Sequence, residues 1–202
     1  MRVPGFSLWA VVFSILALIA CGTSQSADSD AGQKSGPTAN LALAPNFQLS
    51  LYQGEEVLGA KELSLSDLQG KPLVLNFWAG ACPPCRAEMP DLQKFYNEYR
   101  DRLTLVGIDV GPFTGLGSRQ NGKELLQELS ISYPAGSTLD ETVVRKYEIL
   151  GMPSTFFITA NGKIFRKWTG ILNRAKLVEI TEEMLAAQPA LGEAGEGSRD
   201  AS

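Results

Sequence analysis

The chain has 202 residues, and its 22 acidic and 18 basic side chains give a formal net charge of −4. This acidic balance gives no support to nucleic-acid binding, which favours a basic face. The sequence contains no histidine, which excludes imidazole-based catalysis and most transition-metal sites, including the histidine-containing site expected of a copper chaperone.

The N-terminal segment has the pattern of a bacterial targeting signal. Arg2 supplies a positive charge, and the apolar run over residues 8–20 is shorter than the roughly 20 residues of a membrane-spanning helix. Leu18-Ile19-Ala20-Cys21 resembles a lipoprotein lipobox, which implies cleavage before Cys21 and attachment of diacylglycerol to its sulfur. An ordinary secretory signal with a chance cysteine and an uncleaved anchor are the alternatives. We therefore predict a signal peptide over residues 1–20 and a lipidated Cys21.

Two polar stretches flank the part of the chain that can fold. Residues 21–45 contain little apolar surface to offset the entropy cost of ordering, so they are predicted as a flexible tether with a reach of about 25 to 30 Å. Residues 188–202 are predicted as a disordered tail for the same reason. Residues 46–187 then form one domain of about 140 residues, which is enough for a hydrophobic core.

The first half of the domain predicts strands. Residues 47–51 alternate apolar and polar side chains, and residues 55–65 contain another short strand before a turn at 69–72. Residues 73–78 are almost continuously apolar, which is typical of a central strand buried on both faces.

A helix is predicted to begin near Pro83, and Pro90 inside it is expected to kink it. Its apolar face consists of Leu92, Phe95, Tyr96 and Tyr99. A second buried strand over residues 103–108 completes a right-handed βαβ crossover. The Gly-rich residues 110–118 contain no phosphate-binding motif and are predicted as irregular.

The helical pattern returns over residues 119–129 and 141–147. Asn161-Gly162 is a strong two-residue hairpin signal, and its two strands are predicted at 155–159 and 164–168. Asn173 can cap a last helix, whose apolar face consists of Leu177, Ile180 and Met184. The order of elements predicts an α/β fold with a mixed sheet, helices on both faces and an N-terminal β extension.

The most distinctive motif is Cys82-Pro83-Pro84-Cys85, which directly follows the predicted central strand. A C-x-x-C motif on a βα unit is more often redox-active than structural. A structural zinc ion would need two carboxylates in addition to these two thiols. The sequence therefore predicts a redox-active Cys82–Cys85 disulfide, with no metal and no other cofactor.

The position of the two cysteines at a helix start predicts their roles. Unpaired N–H groups and the helix dipole stabilise a thiolate at Cys82, which is expected to be the more exposed sulfur and the nucleophile. Cys85, one turn later, is expected to be more buried and to resolve the mixed disulfide. Pro83 is tolerated at the first helical turn, and Pro84 removes a further donor and stiffens the motif.

Two segments together resemble a known family: NFWAGACPPCRAEMP at residues 76–90 and GMPSTFFI at residues 151–158. They are similar to the TlpA/ResA-type branch of the thioredoxin superfamily, which consists of membrane-tethered thiol–disulfide oxidoreductases outside the cytoplasm. The resemblance covers residues 43–187 and implies a thioredoxin-like fold. It departs at Gly80-Ala81, where the family usually has a bulky aromatic residue before the first cysteine.

The resemblance implies what the protein does and what it meets. It suggests a reductant of protein disulfides, with the haem-site cysteines of apocytochrome c as a candidate substrate. A membrane thiol–disulfide protein would supply electrons, and the protein would be lipid-anchored to a bacterial membrane. The residues leave two other functions open. One is a surface lipoprotein with a static disulfide, and the other is a thiol peroxidase, for which Arg86 is the one supporting residue.

The resemblance also adds residues to the site. The family's proline that matches Pro153 is cis and faces the disulfide, so the backbone of Met152 could pair with a substrate strand. A plain strand-start proline is the alternative. Trp78 either borders the site or packs in the core. The predicted substrate-binding set is thus Trp78, Pro83, Pro84, Met152 and Pro153.

Glu88 is the candidate proton acceptor. It lies three residues after Cys85 and can share its helix face, and a partly buried carboxyl has a raised pKa and can exchange a proton with a thiol. In the resembled family a glutamate at this position influences cysteine ionisation. Thioredoxin itself carries a buried acid at the strand position that matches Asn76, and asparagine cannot titrate. A solvated helix glutamate is the alternative.

Overall fold

The computed structural model describes residues 41–187. Its strands are β1 (Gln48–Gln53), β2 (Glu62–Ser64), β3 (Leu73–Trp78), β4 (Thr104–Asp109), β5 (Ala135–Ser137), β6 (Ser154–Ile158) and β7 (Ile164–Thr169). Its helices are α1 (Glu55–Leu58), α2 (Pro83–Tyr99), α3 (Gly111–Thr114), α4 (Arg119–Glu128), α5 (Val143–Lys146) and α6 (Arg174–Ala187), with a 3₁₀ turn at Leu65–Leu68.

The strands form one seven-stranded sheet in the order β2-β1-β5-β4-β3-β6-β7. Strand β4 is parallel to β3 and to β5, whereas β6 is antiparallel to both β3 and β7. Strands β3, β4, β5 and β7 therefore end at the edge of the sheet where β6 begins. We call this set of strand ends the cysteine edge, because Cys82 follows β3 there.

Strand β3 is buried on both faces, as its continuous apolar pattern predicts. Leu75 and Phe77 point into one core cluster, which contains β1 and the α5 region, whereas Val74 and Trp78 point into the other, which contains α2, α4 and α6. Successive side chains of a strand alternate between faces, so one apolar run serves both layers. The predicted α/β architecture with helices on both faces is confirmed.

Helix α2 begins at Pro83 and continues through Pro90 to Tyr99. Its predicted apolar face is buried, with all four residues at most 8% exposed: Leu92, Phe95, Tyr96 and Tyr99. The predicted hairpin and last helix are also present as β6, β7 and α6. The hairpin loop has three residues instead of the predicted two, because the Thr159 N–H donates to the Lys163 carbonyl at 2.8 Å.

Three features differ from the prediction. Residues Glu55–Leu58 form a short helix, and the strand expected in that region is limited to Glu62–Ser64. Strand β5 has the small residues Ala-Gly-Ser, and α3 has one turn, so neither is long enough to show a periodic pattern. Residues before the predicted domain start also join the fold, because Leu43 pairs with Lys163 and the Tyr147 hydroxyl donates to the Pro45 carbonyl at 2.7 Å.

Several predictions lie outside the described residues. These are the signal peptide at 1–20, the lipidated Cys21, the tether up to residue 40 and the tail at 188–202. Within residues 41–187, no helix has the length and the apolar composition to cross a membrane.

Candidate active site

Cys82 and Cys85 form a disulfide at the start of α2, with their Cα atoms 5.3 Å apart. Cys82 is the N-cap residue, and its Sγ accepts the backbone N–H of Cys85 at 3.2 Å. Both cysteines are buried, with residue exposures of 4% for Cys82 and 1% for Cys85. An N–H group aimed at Sγ, together with the positive end of the helix dipole, stabilises Cys82 as a thiolate once the disulfide is reduced.

The local sequence explains why the helix begins here. Pro83 and Pro84 occupy the first two helical positions, where an N–H group has no partner within the helix. The Cys82 N–H donates to the Ala79 carbonyl at 3.2 Å, which closes the turn after β3. Pro83 is exposed and Pro84 is half-buried, so both lie where a partner could reach them.

The Met152-Pro153 peptide bond is cis. Pro153 immediately precedes β6, whose first residue, Ser154, pairs with Phe77 near the end of β3. The cis bond therefore lies at the cysteine edge, as expected. Within the described chain, neither the N–H nor the C=O of Met152 forms a backbone hydrogen bond. Both groups are thus free to pair with an added strand.

Glu88 is on α2 and is buried, with an exposure of 1%. One carboxylate oxygen accepts from Asn76 Nδ2 at 2.7 Å, and the other accepts from the Leu172 N–H at 2.6 Å. Burial raises the pKa of Glu88 from 4.5 to about 7, although the two hydrogen bonds oppose this shift. The buried environment and raised pKa match the expectation, while the role of Glu88 in thiol exchange stays a prediction.

Three residues around Glu88 were not predicted from the sequence to belong to the site. Leu172 contributes only a backbone N–H, for which no sequence signal exists. Thr155 accepts from Asn76 Nδ2 at 3.0 Å and is directly opposite Asn76 in the β3–β6 register, so a correct register would have found it. Tyr133 is fully buried, and burial together with the nearby charge of Glu88 raises the pKa of its hydroxyl.

Trp78 is fully buried at the end of β3, and its indole N–H has no partner within residues 41–187. This burial favours the packing role over contact with a substrate. The Gly-rich segment after β4 borders the site, because the Leu116 carbonyl accepts the Ala81 N–H, next to Cys82, at 2.8 Å. Leu116 is 37% exposed, so it contributes an apolar side chain beside the small Gly80-Ala81 rim.

The remaining site predictions concern Arg86 and metals. The two terminal nitrogens of Arg86 both donate to the carboxylate of Glu128 on α4. The one residue that the peroxidase hypothesis used is therefore engaged in an ion pair. Among the described residues, no group of three or more Cys, Asp and Glu side chains is arranged to hold a metal ion.

Comparison with known proteins agrees with this geometry. The sequence matches the AhpC/TSA family over residues 42–167. It is 35% identical over 134 residues to "Thiol-disulfide oxidoreductase ResA" of Oceanobacillus iheyensis, covering 66% of this chain and 67% of that relative. It is 29% identical over 135 residues to the protein of the same name from Bacillus subtilis, covering 66% and 69%.

The fold also matches a solved structure. A thiol:disulfide interchange protein of the thioredoxin family from Chlorobium tepidum superimposes with a TM-score of 0.57 at 24% identity. The match covers 73% of this chain and 98% of that one. The seven-stranded sheet is therefore built on a thioredoxin fold.

Proposed function

Because this chain belongs to the AhpC/TSA family and, within it, to the TlpA/ResA-type thiol–disulfide oxidoreductases, we propose that it reduces disulfides of protein substrates outside the cytoplasm. One observation carries the proposal. Cys82 caps α2 and is bonded to Cys85, at the same edge of the sheet as the unpaired backbone of Met152. This arrangement supplies an activated sulfur, a resolving sulfur and a place for the substrate backbone.

The reaction has two exchange steps. The Cys82 thiolate attacks one sulfur of the substrate disulfide, a Cys82–substrate bond forms, and the other substrate sulfur leaves as a thiolate that takes up a proton. Cys85 then loses its proton and attacks Cys82 Sγ. The Cys82–Cys85 disulfide forms again, and the first substrate sulfur leaves and is protonated. Two electrons thus pass to the substrate, with two protons, and no other cofactor is needed.

Glu88 handles a proton in the second step. It lies three residues after Cys85 on α2, which places both residues on neighbouring positions of one helix face. A carboxyl with a pKa of about 7 is partly ionised near neutral pH, so it can accept the Cys85 proton and later return it. Cys85 is only 1% exposed, so its thiol has little contact with water that could take the proton instead.

The family resemblance supports a proposal for the electron source and the substrate. A membrane thiol–disulfide protein would reduce the Cys82–Cys85 disulfide after each turnover. The haem-site cysteines of apocytochrome c are the proposed substrate, because such a pair oxidises readily and must be reduced before haem is attached. The lipid on Cys21 and the tether would keep the domain within about 25 to 30 Å of the membrane.

Replacing Cys85 with Ser tests the reaction directly. Cys85→Ser removes the resolving sulfur, so a substrate that Cys82 attacks in cells stays linked to it and is identified after non-reducing electrophoresis. Cys82→Ser is the matched control and should trap far less, because it removes the nucleophile. Absence of any trapped partner, together with failure of the wild type to reduce model disulfides, would favour the static disulfide. Consumption of peroxide would favour the peroxidase.

A further inference from the structure

Exposed apolar side chains are concentrated at the cysteine edge. Four of the six large apolar residues that are exposed within residues 41–187 lie on its loops: Leu116, Leu139, Leu150 and Ile171. The other two, Leu43 and Val57, lie at the opposite edge. Leu150 is the most exposed of them, at 92%, and it also lines a groove.

An open groove of about 670 Å³ lies between α3 and α5, next to Leu150. Its apolar lining consists of Pro112, Phe113, Val144, Ile149 and Leu150. We call this cavity the α3–α5 groove. Its volume suits a few side chains.

The groove lies close to Met152 along the chain. Ile149 and Leu150 precede Met152 by three and two residues. The side chain of Met152 packs against both core clusters, the one that contains the disulfide and the one against which Phe113, Val144 and Ile149 pack. A substrate that pairs with the Met152 backbone and extends past Leu150 would reach the groove.

The walls of the groove are held in place. The Asp140 carboxylate accepts the Thr142 N–H at 3.0 Å and pairs with Lys146 Nζ at 2.8 Å, which fixes the start of α5. Lys167 Nζ donates to the carbonyl oxygens of Tyr147 and Glu148 at 3.1 and 2.5 Å, which fixes its end. A site formed before binding avoids the entropy cost of ordering it.

The charges on the rim are unpaired. Glu141, Arg145 and Glu148 are exposed, and none of them forms a salt bridge in the described part of the chain. Two acids and one base give this rim an excess of negative charge, which favours a basic group on the partner.

We propose that the α3–α5 groove binds an apolar side chain of the protein substrate, located two to four residues from the cysteine that Cys82 attacks and accompanied by a basic residue. The spacing follows from a strand rise of about 3.3 Å per residue, because Leu150 lies two residues from Met152 along the backbone that the substrate would pair with. The groove thus selects among disulfides by their flanking sequence. This inference rests on the proposed function.

The test uses the full chain in detergent micelles, with an added small dithiol as electron donor, and synthetic peptides with one cysteine disulfide-linked to glutathione. The rate without the protein is subtracted. The peptides carry Leu, Ala or Asp two, three or four residues from the cysteine on either side. We expect kcat/KM for the best Leu peptide to exceed that for its Asp counterpart by about tenfold or more. Leu150→Asp should abolish this ratio. Val57→Asp, at the opposite edge, should preserve it.

A second pair of variants covers the wall and the rim. Phe113→Ser should lower the same Leu to Asp ratio, and Glu141→Gln with Glu148→Gln should lower the preference for Lys over Glu beside the apolar residue at low salt. Equal kcat/KM for Leu and Asp peptides in the wild type, or an unchanged ratio in Leu150→Asp, would overturn the inference. Failure to reduce any of the peptides would instead contradict the proposed function.

Discussion

The carboxyl group of Glu88 shows how environment converts an ordinary side chain into a proton acceptor. Two hydrogen bonds, from Asn76 and from the Leu172 N–H, favour its charged form. Burial favours the neutral form and has the larger effect, so the pKa rises to about 7. Asn76 holds the carboxyl without adding a second titratable group to the site.

Replacing Glu88 with Gln should change how stability depends on pH. Folding raises the pKa of Glu88 from 4.5 to about 7, so the folded protein holds a proton that the unfolded chain releases in this range. The tighter binding of this proton stabilises the folded state; this stabilisation is complete below pH 4.5 and is lost as the pH rises through 7. The shift corresponds to on the order of 3 kcal/mol.

Denaturant unfolding of the oxidised protein at a series of pH values measures this effect. As the pH rises from 4.5 to 7, the wild type should lose unfolding free energy relative to Glu88→Gln, which has no carboxyl to titrate at this position. Glutamine keeps the shape but has only one acceptor oxygen, so it loses one of the two hydrogen bonds at every pH. The part of the difference that changes with pH therefore reports the titration of Glu88. Two parallel profiles would show that Glu88 does not titrate in this range.

At the level of the elements, the loop that carries the cysteines is supported by the segment after β4. Asp109, at the end of β4, accepts the Gly111 N–H at 2.9 Å and orients α3. The Leu116 carbonyl then accepts the Ala81 N–H, and the start of α4 packs against Gly80. The backbones approach so closely that only glycine fits at position 80.

Gly80→Ala should therefore destabilise the domain. A Cβ at this position would lie 2.5 Å from the Gly122 N and 2.6 Å from the Asn121 carbonyl carbon, and backbone atoms cannot turn aside as a flexible side chain can. We expect a loss of about 1–3 kcal/mol in the free energy of unfolding. Gly151→Ala is the control, because the nearest atom to its Cβ is 3.4 Å away. Equal stability of the two variants would mean that α4 moves without cost.

At the scale of the whole molecule, the proposed activity requires the domain to reach membrane partners. The described domain begins with residues 42–45, which pair with the β6–β7 turn and with Tyr147. About 20 residues lie between this start and Cys21, and if they are the proposed tether they would span about 25 Å. Substrates and electron donors at the membrane surface would then be accessible to Cys82.

Cys21→Ala tests the anchor. Without its sulfur no diacylglycerol can be attached, so the chain should lose incorporation of a clickable fatty-acid analogue in cells and leave the membrane fraction. Cys82→Ala should keep both properties, because it removes a thiol from the disulfide alone. Retention of the label by Cys21→Ala would show that the lipobox resemblance is fortuitous, and membrane retention without label would indicate an uncleaved anchor.

Much of the fold was readable from short-range pattern. The apolar run of β3, the Asn161-Gly162 turn and the apolar face of α2 each depend on neighbours along the chain, and each was placed correctly. The position of the C-x-x-C motif at a strand-to-helix junction could likewise be predicted from adjacent residues, because Pro83 marks the start of the helix. Strand β5 was missed because Ala135–Ser137 is short and has small side chains, so its pairing with β1 and β4 alone makes it a strand.

Local sequence therefore decided the chemistry, and long-range packing decided its surroundings. Two cysteines at a helix start specify a disulfide exchanger because capping and helix polarity act within one turn. The partners of Glu88, by contrast, come from Asn76 and Leu172, 12 and 84 residues away. The support of Ala81 by Leu116 and the walls of the α3–α5 groove also arise between segments that meet only when the sheet assembles. Desolvation and steric fit depend on every atom nearby, so the pKa of Glu88 and the shape around Cys82 belong to the folded molecule.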